Sequence, residues 1–548
     1  MASNETRAPG PFSAWKAWAW ETAGAMLALL AGFHFLALRV RAGGLPGGDE
    51  GSWLSVAAEV ARGHGFTTHW LEAHFLTPYA LPRPDDFRYP ALTSLLALVF
   101  RCAGFSAASV ETARWAVTAV FLCFAATAYL ACRSAFGRGT AMAMLWLTCS
   151  SLLQLYWNSI VYTEGMFGLA LALLVCWCVR GERTLHATMP FGFRSLAWWV
   201  GLGSAVGLLY LVRANGILFL IGIPWLYLLR RKQGLSWKHP ACAALGFLLI
   251  AAPWLLHTAA RFGNPLHVAG NAGMLRTPGE SHTLGLAQFL AQHAALYPLE
   301  RITVGAWHFL RDLHGFEHGL EAAPLILALI AVFLRRPFFS PFLVAGFLVT
   351  FAASAYTAYD SWAGVRYMSG LLPFVYAYGI SILPGWLAPW TARPGRAPGT
   401  PGIDTMRVSG FIVGPIILLL LLLPVVGPHR FYERKLAHPS DDKPALADHL
   451  ARLETLVPAG GRYYAASLCK VNFLAEGRDC VGLQELYDPT WFSRSMQAFH
   501  PGLVILTHAE TSDSMLTAAL AKMRAEGYRQ DTLAEGPLAV YLSLRQAP

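Results

Sequence analysis

The sequence predicts a polytopic α-helical membrane protein of about eleven spans, followed by a small α/β domain outside the membrane. Three observations predict this. Hydrophobic residues fill 55% of the 548 positions and charged ones only 14%, where a water-soluble domain carries about 25% charged. Apolar stretches near the length of a bilayer crossing recur between residues 18 and 427. The Lys and Arg residues behind the net charge of +10 fall in short clusters between those stretches, as orienting loops do. A basic total could suit nucleic acid, but this placement makes it a topological signal, and no nucleic-acid partner is expected.

Taken in order, residues 1–17 form a cytoplasmic N-terminus and about 18–38 the first span. That stretch is long enough to cross and lacks a small-residue cleavage site, so it reads as a retained helix rather than a signal peptide. Further spans centre on 110–132, 139–156, 163–179, 195–212, 214–229, 241–258, 322–334, 339–357, 368–388 and 408–427. Counting from an inside N-terminus puts Arg133/Arg138, Arg180/Arg183, Arg230/Arg231/Lys232/Lys238, Arg335/Arg336 and Arg393/Arg396/Arg407 on the cytoplasmic side, as the positive-inside rule asks. The segment "YPALTSLLALVFRCAGF" (89–105) is excluded as a span because Arg101 interrupts it and its inclusion would invert all five clusters. It reads as an interfacial helix. The first outer loop therefore runs over 40–109, and a second over 259–321. The Pro-, Gly- and Arg-rich stretch 391–407 is an inner linker,. Residues 18–427 make the membrane domain; in 428–548 helical patterns such as "DKPALADHLARLETLV" alternate with strand-like ones such as "GLVILT", the mark of an extracytoplasmic α/β domain.

Chemistry-bearing side chains gather on the outer side. Asp49 and Glu50 follow "GLPGG" and open a helical stretch. Asp49 can cap that helix or act as a general base with Glu50 shaping its field, and the two roles are compatible. Glu164 stands at the outer head of the fourth span, where a carboxylate so near hydrocarbon needs a partner or water. Arg213, Arg261 and Arg366 also fall at outer span ends, against the positive-inside trend. Each is a candidate phosphate ligand or a side chain that snorkels to headgroups. Arg88, beside Asp85 and Asp86, is a further candidate in what reads as a solvated charged turn. His64, His69 and His74 recur every five residues, a spacing that does not align them on one helix face, so no metal site is expected of them. Of nine cysteines, seven lie in or beside apolar runs, while Cys469 and Cys480 stand in the polar C-terminal part and can pair if it faces an oxidising compartment.

The early outer "DE", the "YPAL" helix, "TEGMF", "LVRANG", "APWLLHTAARFG" and "GVRYMSGLLPF" occur in an order that resembles the GT-C glycosyltransferases using polyprenyl-phosphate sugars. The similarity is to the branch of protein O-mannosyltransferases and lipid A aminoarabinose transferases, over residues 18–427. The resemblance implies that Asp49 is the catalytic first-loop acid, Glu164 the second acid and Arg213 a contact to the donor phosphate. Where the family often shows Pro-Pro after a basic residue, "RYPAL" has one proline and the basic residue is Arg88. The implied activity is transfer of a sugar from a polyprenyl-phosphate carrier to a hydroxyl or phosphate of a lipid, glycan or protein. It would take place at the outer face of a bacterial inner membrane, inverting the anomeric centre, with Asp49 as base and Arg88, Arg213, Arg261 and Arg366 toward the phosphate. No cofactor is required, though a divalent metal fits the two acids. A transporter or flippase of a lipid-linked sugar is the alternative, which would favour charges deep in mid-span and inverted halves. A non-enzymatic scaffold displaying the C-terminal domain would leave the outer acids without a role.

Overall fold

The computed structural model describes residues 11–41, 43–44, 46, 49–71, 81–85, 87–185, 193–267, 297–317, 322–334, 340–357, 363–383, 442–465, 467–482, 499, 502–508, 511, 520–521, 523–525 and 527–546. Its membrane part is built from α1 (Pro11–Arg41), α2 (Asp49–Arg62), α3 (Pro90–Ala103), α4 (Ala107–Phe136), α5 (Arg138–Ser150), α6 (Leu152–Asn158), α7 (Glu164–Leu185) and α8 (Phe193–Val212). A 3₁₀ segment (Ala214–Ile221), α9 (Gly222–Arg230), α10 (Lys238–Phe262), α11 (Tyr297–Glu317), α12 (Ala322–Phe333), α13 (Pro341–Thr357), α14 (Ala363–Met368) and α15 (Leu372–Ile380) follow.

Among the described residues, five helices are long and apolar enough to cross a membrane: Trp18–Arg41, Ala108–Phe136, Glu164–Gly181, Arg194–Val212 and Lys238–Phe262. They coincide with expected spans because an unbroken apolar run of about 20 residues has only one way to satisfy its backbone in lipid. Shorter apolar helices stand at several of the others. The stretch 139–156 divides at Ser151, whose hydroxyl accepts the Gln154 amide at 3.1 Å and so starts α6 as a new helix,. The stretch 214–229 begins as a 3₁₀ segment, and 368–388 opens with a turn before α15. Residues 391–407 and 408–427, like His74 and Asp86, lie outside the described residues.

On one side of the bundle, α2 and α3 lie together over its end. Pro90 opens α3 with a preset φ,. Leu92, Leu96 and Phe100 of α3 and Trp53, Leu54 and Ala57 of α2 join the core of the bundle. The C-terminal part contains α16 (Asp442–Leu456), β4 (Arg462–Ala465), a 3₁₀ segment (Ser467–Leu474), β5 (Asp479–Gly482), β6 (Leu503–Thr507), β7 (Tyr528–Glu535) and β8 (Ala539–Gln546). The connection between α2 and α3 supplies the short strands β1 (Thr67–Thr68), β2 (Trp70–Leu71) and β3 (Arg83–Pro84). The main sheet has the order β2-β5-β4-β6-β8-β7, with β2 parallel to β5. The C-terminal sheet is thus completed by the connection between α2 and α3. Trp70 belongs to its apolar core, alongside Leu446, Tyr463 and Tyr541. Cys469 and Cys480 are joined as a disulfide, with their Cα atoms 5.5 Å apart.

Candidate active site

The site forms where α2, α7, α8 and α14 meet. Asp49 is the first residue of α2 and Glu164 the first of α7, so each carboxylate sits at the positive end of a helix dipole. Arg213 follows the last residue of α8, the end at which a cation is favoured,. Arg366, on the short α14, links the acids. Its NH1 donates to Asp49 Oδ2 at 2.7 Å and its Nε to Glu164 Oε1 at 2.7 Å. Arg213 NH1 reaches the same Glu164 oxygen at 3.5 Å, and Arg88 NH2 lies 3.9 Å from Asp49 Oδ1. Three arginines therefore face two carboxylates. Arg88 is not in a solvated turn: it is buried, its guanidinium 4.2 Å from the Phe87 ring and 5.4 Å from the Trp53 ring. Asp85, also buried, accepts the Arg88 amide at 2.7 Å and so shapes that turn.

Aromatic rings line the cluster. The Arg366 guanidinium lies 4.0 Å from the Tyr162 ring and 5.5 Å from that of Trp157, and Arg213 lies 4.3 Å from the Tyr367 ring. Burial raises the Asp49 carboxyl, but Arg366, Arg88 and Arg213 outweigh it and hold the group below the ordinary carboxylate range,. Asp49 keeps a side-chain exposure of 30%, against 1% for Glu164. Of the two acids, Asp49 is the more accessible. Glu164 Oε2 is buried with no hydrogen-bond partner among the described residues, so it retains the capacity to accept a donor or a cation. No group of three or more His, Cys, Asp or Glu side chains is gathered to hold a metal among the described residues.

Two expected site residues are placed differently. Glu50 is engaged in an ion pair of its own, away from the arginine cluster. Consecutive helical residues point about 100° apart, and Glu50 turns inward, where Arg114 of α4 donates to both its oxygens at 2.8 Å. The Val161 amide adds a third bond at 3.1 Å. Arg261 is exposed near the end of α10 and makes no ion pair with either acid among the described residues. Arg114 was signalled in the sequence by a charge one turn beyond Glu111 and leading into an apolar run, "VETARWAVTAV",. Tyr162 and Tyr367 carried no comparable signal, since aromatic residues at span ends are common.

No protein-family model matches the sequence, and no curated protein is significantly similar to it. Solved structures are similar in fold. ArnT from Cupriavidus metallidurans bound to undecaprenyl phosphate superimposes with a TM-score of 0.54 at 15% identity, over 96% of this chain and 98% of that one. The archaeal oligosaccharyltransferase AglB from Archaeoglobus fulgidus, in complex with an inhibitory peptide and a dolichol-phosphate, gives 0.61 at 12% identity, over 97% of this chain and 75% of that one. The chain shares the fold of these two structures.

Proposed function

We propose that the protein is an integral membrane glycosyltransferase that moves a sugar from a polyprenyl-phosphate carrier to a hydroxyl or phosphate acceptor at the outer face of the plasma membrane. The observation that carries this reading is the Asp49–Arg366–Glu164 bridge, set at the end of an apolar bundle with Arg88 and Arg213 beside it. A lipid-linked phosphate needs apolar helices for its tail and a cationic pocket for its head; an acceptor needs a reachable base. The fold shared with ArnT bound to undecaprenyl phosphate and AglB bound to a dolichol-phosphate supports the donor class. The disulfide in the C-terminal part, which shares its sheet with the first outer loop, supports an oxidising compartment for both.

In this scheme the acceptor oxygen attacks the anomeric carbon as its proton passes to Asp49. The carbon–oxygen bond to the phosphate breaks, and the polyprenyl phosphate leaves with the electron pair, stabilised by the arginines. One displacement inverts the centre. Donor binding also prepares the base. While Arg366 holds Asp49, the carboxylate is a weak base; a phosphate that draws Arg366 toward itself removes the first-named of the cations that lower it. Tyr162, Trp157 and Tyr367, already packed on the guanidiniums, offer faces for the sugar ring.

The test is transfer from a synthetic polyprenyl-phosphate sugar in proteoliposomes. Asp49→Asn is expected to lower the rate by about 10²- to 10⁴-fold, the usual worth of a placed base, with the protein still folded. An undiminished Asp49→Asn rate removes the mechanism.

A further inference from the structure

Glu59 and His69 lie outside the cluster described above. Glu59 is buried on α2, nearly three turns from Asp49,. Its Oε1 accepts Arg62 NH1 at 2.5 Å and its Oε2 meets His64 Nδ1 at 2.7 Å. His69 stands between this acid and the C-terminal sheet. Its Nδ1 bonds Asp479 Oδ1 of β5 at 2.8 Å, and its Nε2 faces Glu59 Oε2 at 3.6 Å. The backbone continues the link: the Cys480 amide donates to the His69 carbonyl at 2.9 Å, and Asn472 Nδ2 donates to the same oxygen at 3.1 Å.

The 3₁₀ segment Ser467–Leu474 closes on the other face of α2. A Cβ on Gly51 would meet the Lys470 backbone, and Arg62 NH2 donates to the Phe473 carbonyl at 2.9 Å. The Phe473 ring sits 5.7 Å from Phe100 of α3. The disulfide ties that segment to β5. The helix that carries Asp49 is therefore gripped at its first turn and its last by a domain more than 400 residues away in sequence.

We propose that the C-terminal domain positions α2, and through it Asp49, by a clasp that His69 closes when protonated. The proposal rests on the transferase reading only for its effect on rate. The chemistry is one of donors. A neutral imidazole has one N–H and serves one of the two carboxylates; the imidazolium has two and serves both. The groups facing it are Glu59, Arg62 and His64 from α2 and the turn after it, Asp479 from β5, and Arg462 from β4, which holds Asp479 Oδ2 at 3.2 Å. The hydrogen bond to Asp479, then the charges of Glu59 and Asp479, raise His69 above the usual histidine range against its burial and Arg62. A raised folded-state value means the clasp is complete below the ordinary histidine pKa and is lost as pH rises through the raised one. His69 is thus a positioning residue that touches no substrate.

The experiment uses the full chain in nanodiscs, comparing wild type, His69→Gln and Asp479→Asn. Hydrogen-exchange protection of residues 49–62, corrected for intrinsic rates, is followed against pH together with sugar transfer. In wild type, protection and transfer are expected to fall several-fold over one shared step as pH rises. His69→Gln is expected to abolish the step in both, with the unfolding temperature of the bundle retained; Asp479→Asn is expected to move it to lower pH. Wild-type protection without a pH step, or an unmoved step in both variants, overturns the clasp. A protection step that obeys these expectations in a protein without transferase activity upholds the clasp and rejects the transferase reading.

Discussion

Two adjacent carboxylates have opposite fates because the helix they open turns about 100° per residue. Asp49 faces the arginine cluster and Glu50 the bundle interior, where Arg114 and the Val161 amide take it up. The spacing "DE" does reveal an acid at the mouth of the bundle, but not which of the two is reachable. That follows from helix phase, fixed only when α2 packs on α3 and α4. Glu50 joins α2, α4 and the turn that leads into Glu164, so its pair with Arg114 holds the two acids of the site in register. Arg114→Ala leaves a buried carboxylate without its cation, a loss worth about 3–5 kcal/mol. We expect a correspondingly lowered unfolding temperature in detergent. Glu50→Gln combined with Arg114→Met is expected to recover much of it, since no lone buried charge then remains.

Among the elements, the long apolar runs were legible and the interrupted ones were not. A continuous run such as Ala108–Phe136 permits one structure in lipid. The break at Ser151 depended on a hydroxyl that caps the next helix, a local side-chain bond that hydropathy does not register. Packing between α8 and α10 is likewise a backbone matter. A Cβ on Gly203 would run into the Ala243 carbonyl, and one on Gly246 into the Val200 carbonyl, so the two helices approach as small-residue seams in membranes do. Gly246→Leu must push them apart. It is expected to destabilise the protein by at least about 1–3 kcal/mol, read by thermal unfolding. It is also expected to weaken donor binding, because Arg213 stands at the end of α8.

At the scale of the whole molecule, the C-terminal domain and the membrane domain share a sheet, so their stabilities are linked. His449 of α16 is buried with Nδ1 2.8 Å from the Tyr541 hydroxyl, and burial lowers its pKa to about 4. A histidine lowered from an unfolded value near 6.5 contributes stability that is whole above that value and is lost as pH falls toward 4,. The full effect is about 3 kcal/mol. The domain should therefore unfold earlier in acid, and His449→Phe should flatten that slope in thermal melts between pH 7 and pH 4. His69 works in the opposite sense, holding the clasp in acid and releasing it as pH rises. The intact protein is expected to be best assembled between the two transitions.

The amino-acid order by itself determined the long apolar helices, marked Asp49, Glu164, Arg213 and Arg366 as charges at the ends of helical stretches, and showed the change to mixed helix and strand in the C-terminal part. These follow from solvent preference and charge placement, which act locally along the chain. Only the tertiary structure decided that Arg366 bridges both acids, that Arg261 pairs with neither, that Arg88 is buried, and that β2 completes a sheet from the far end of the chain. Those depend on helix phase and on contacts between residues hundreds of positions apart, whose partners hydropathy and local pattern cannot identify.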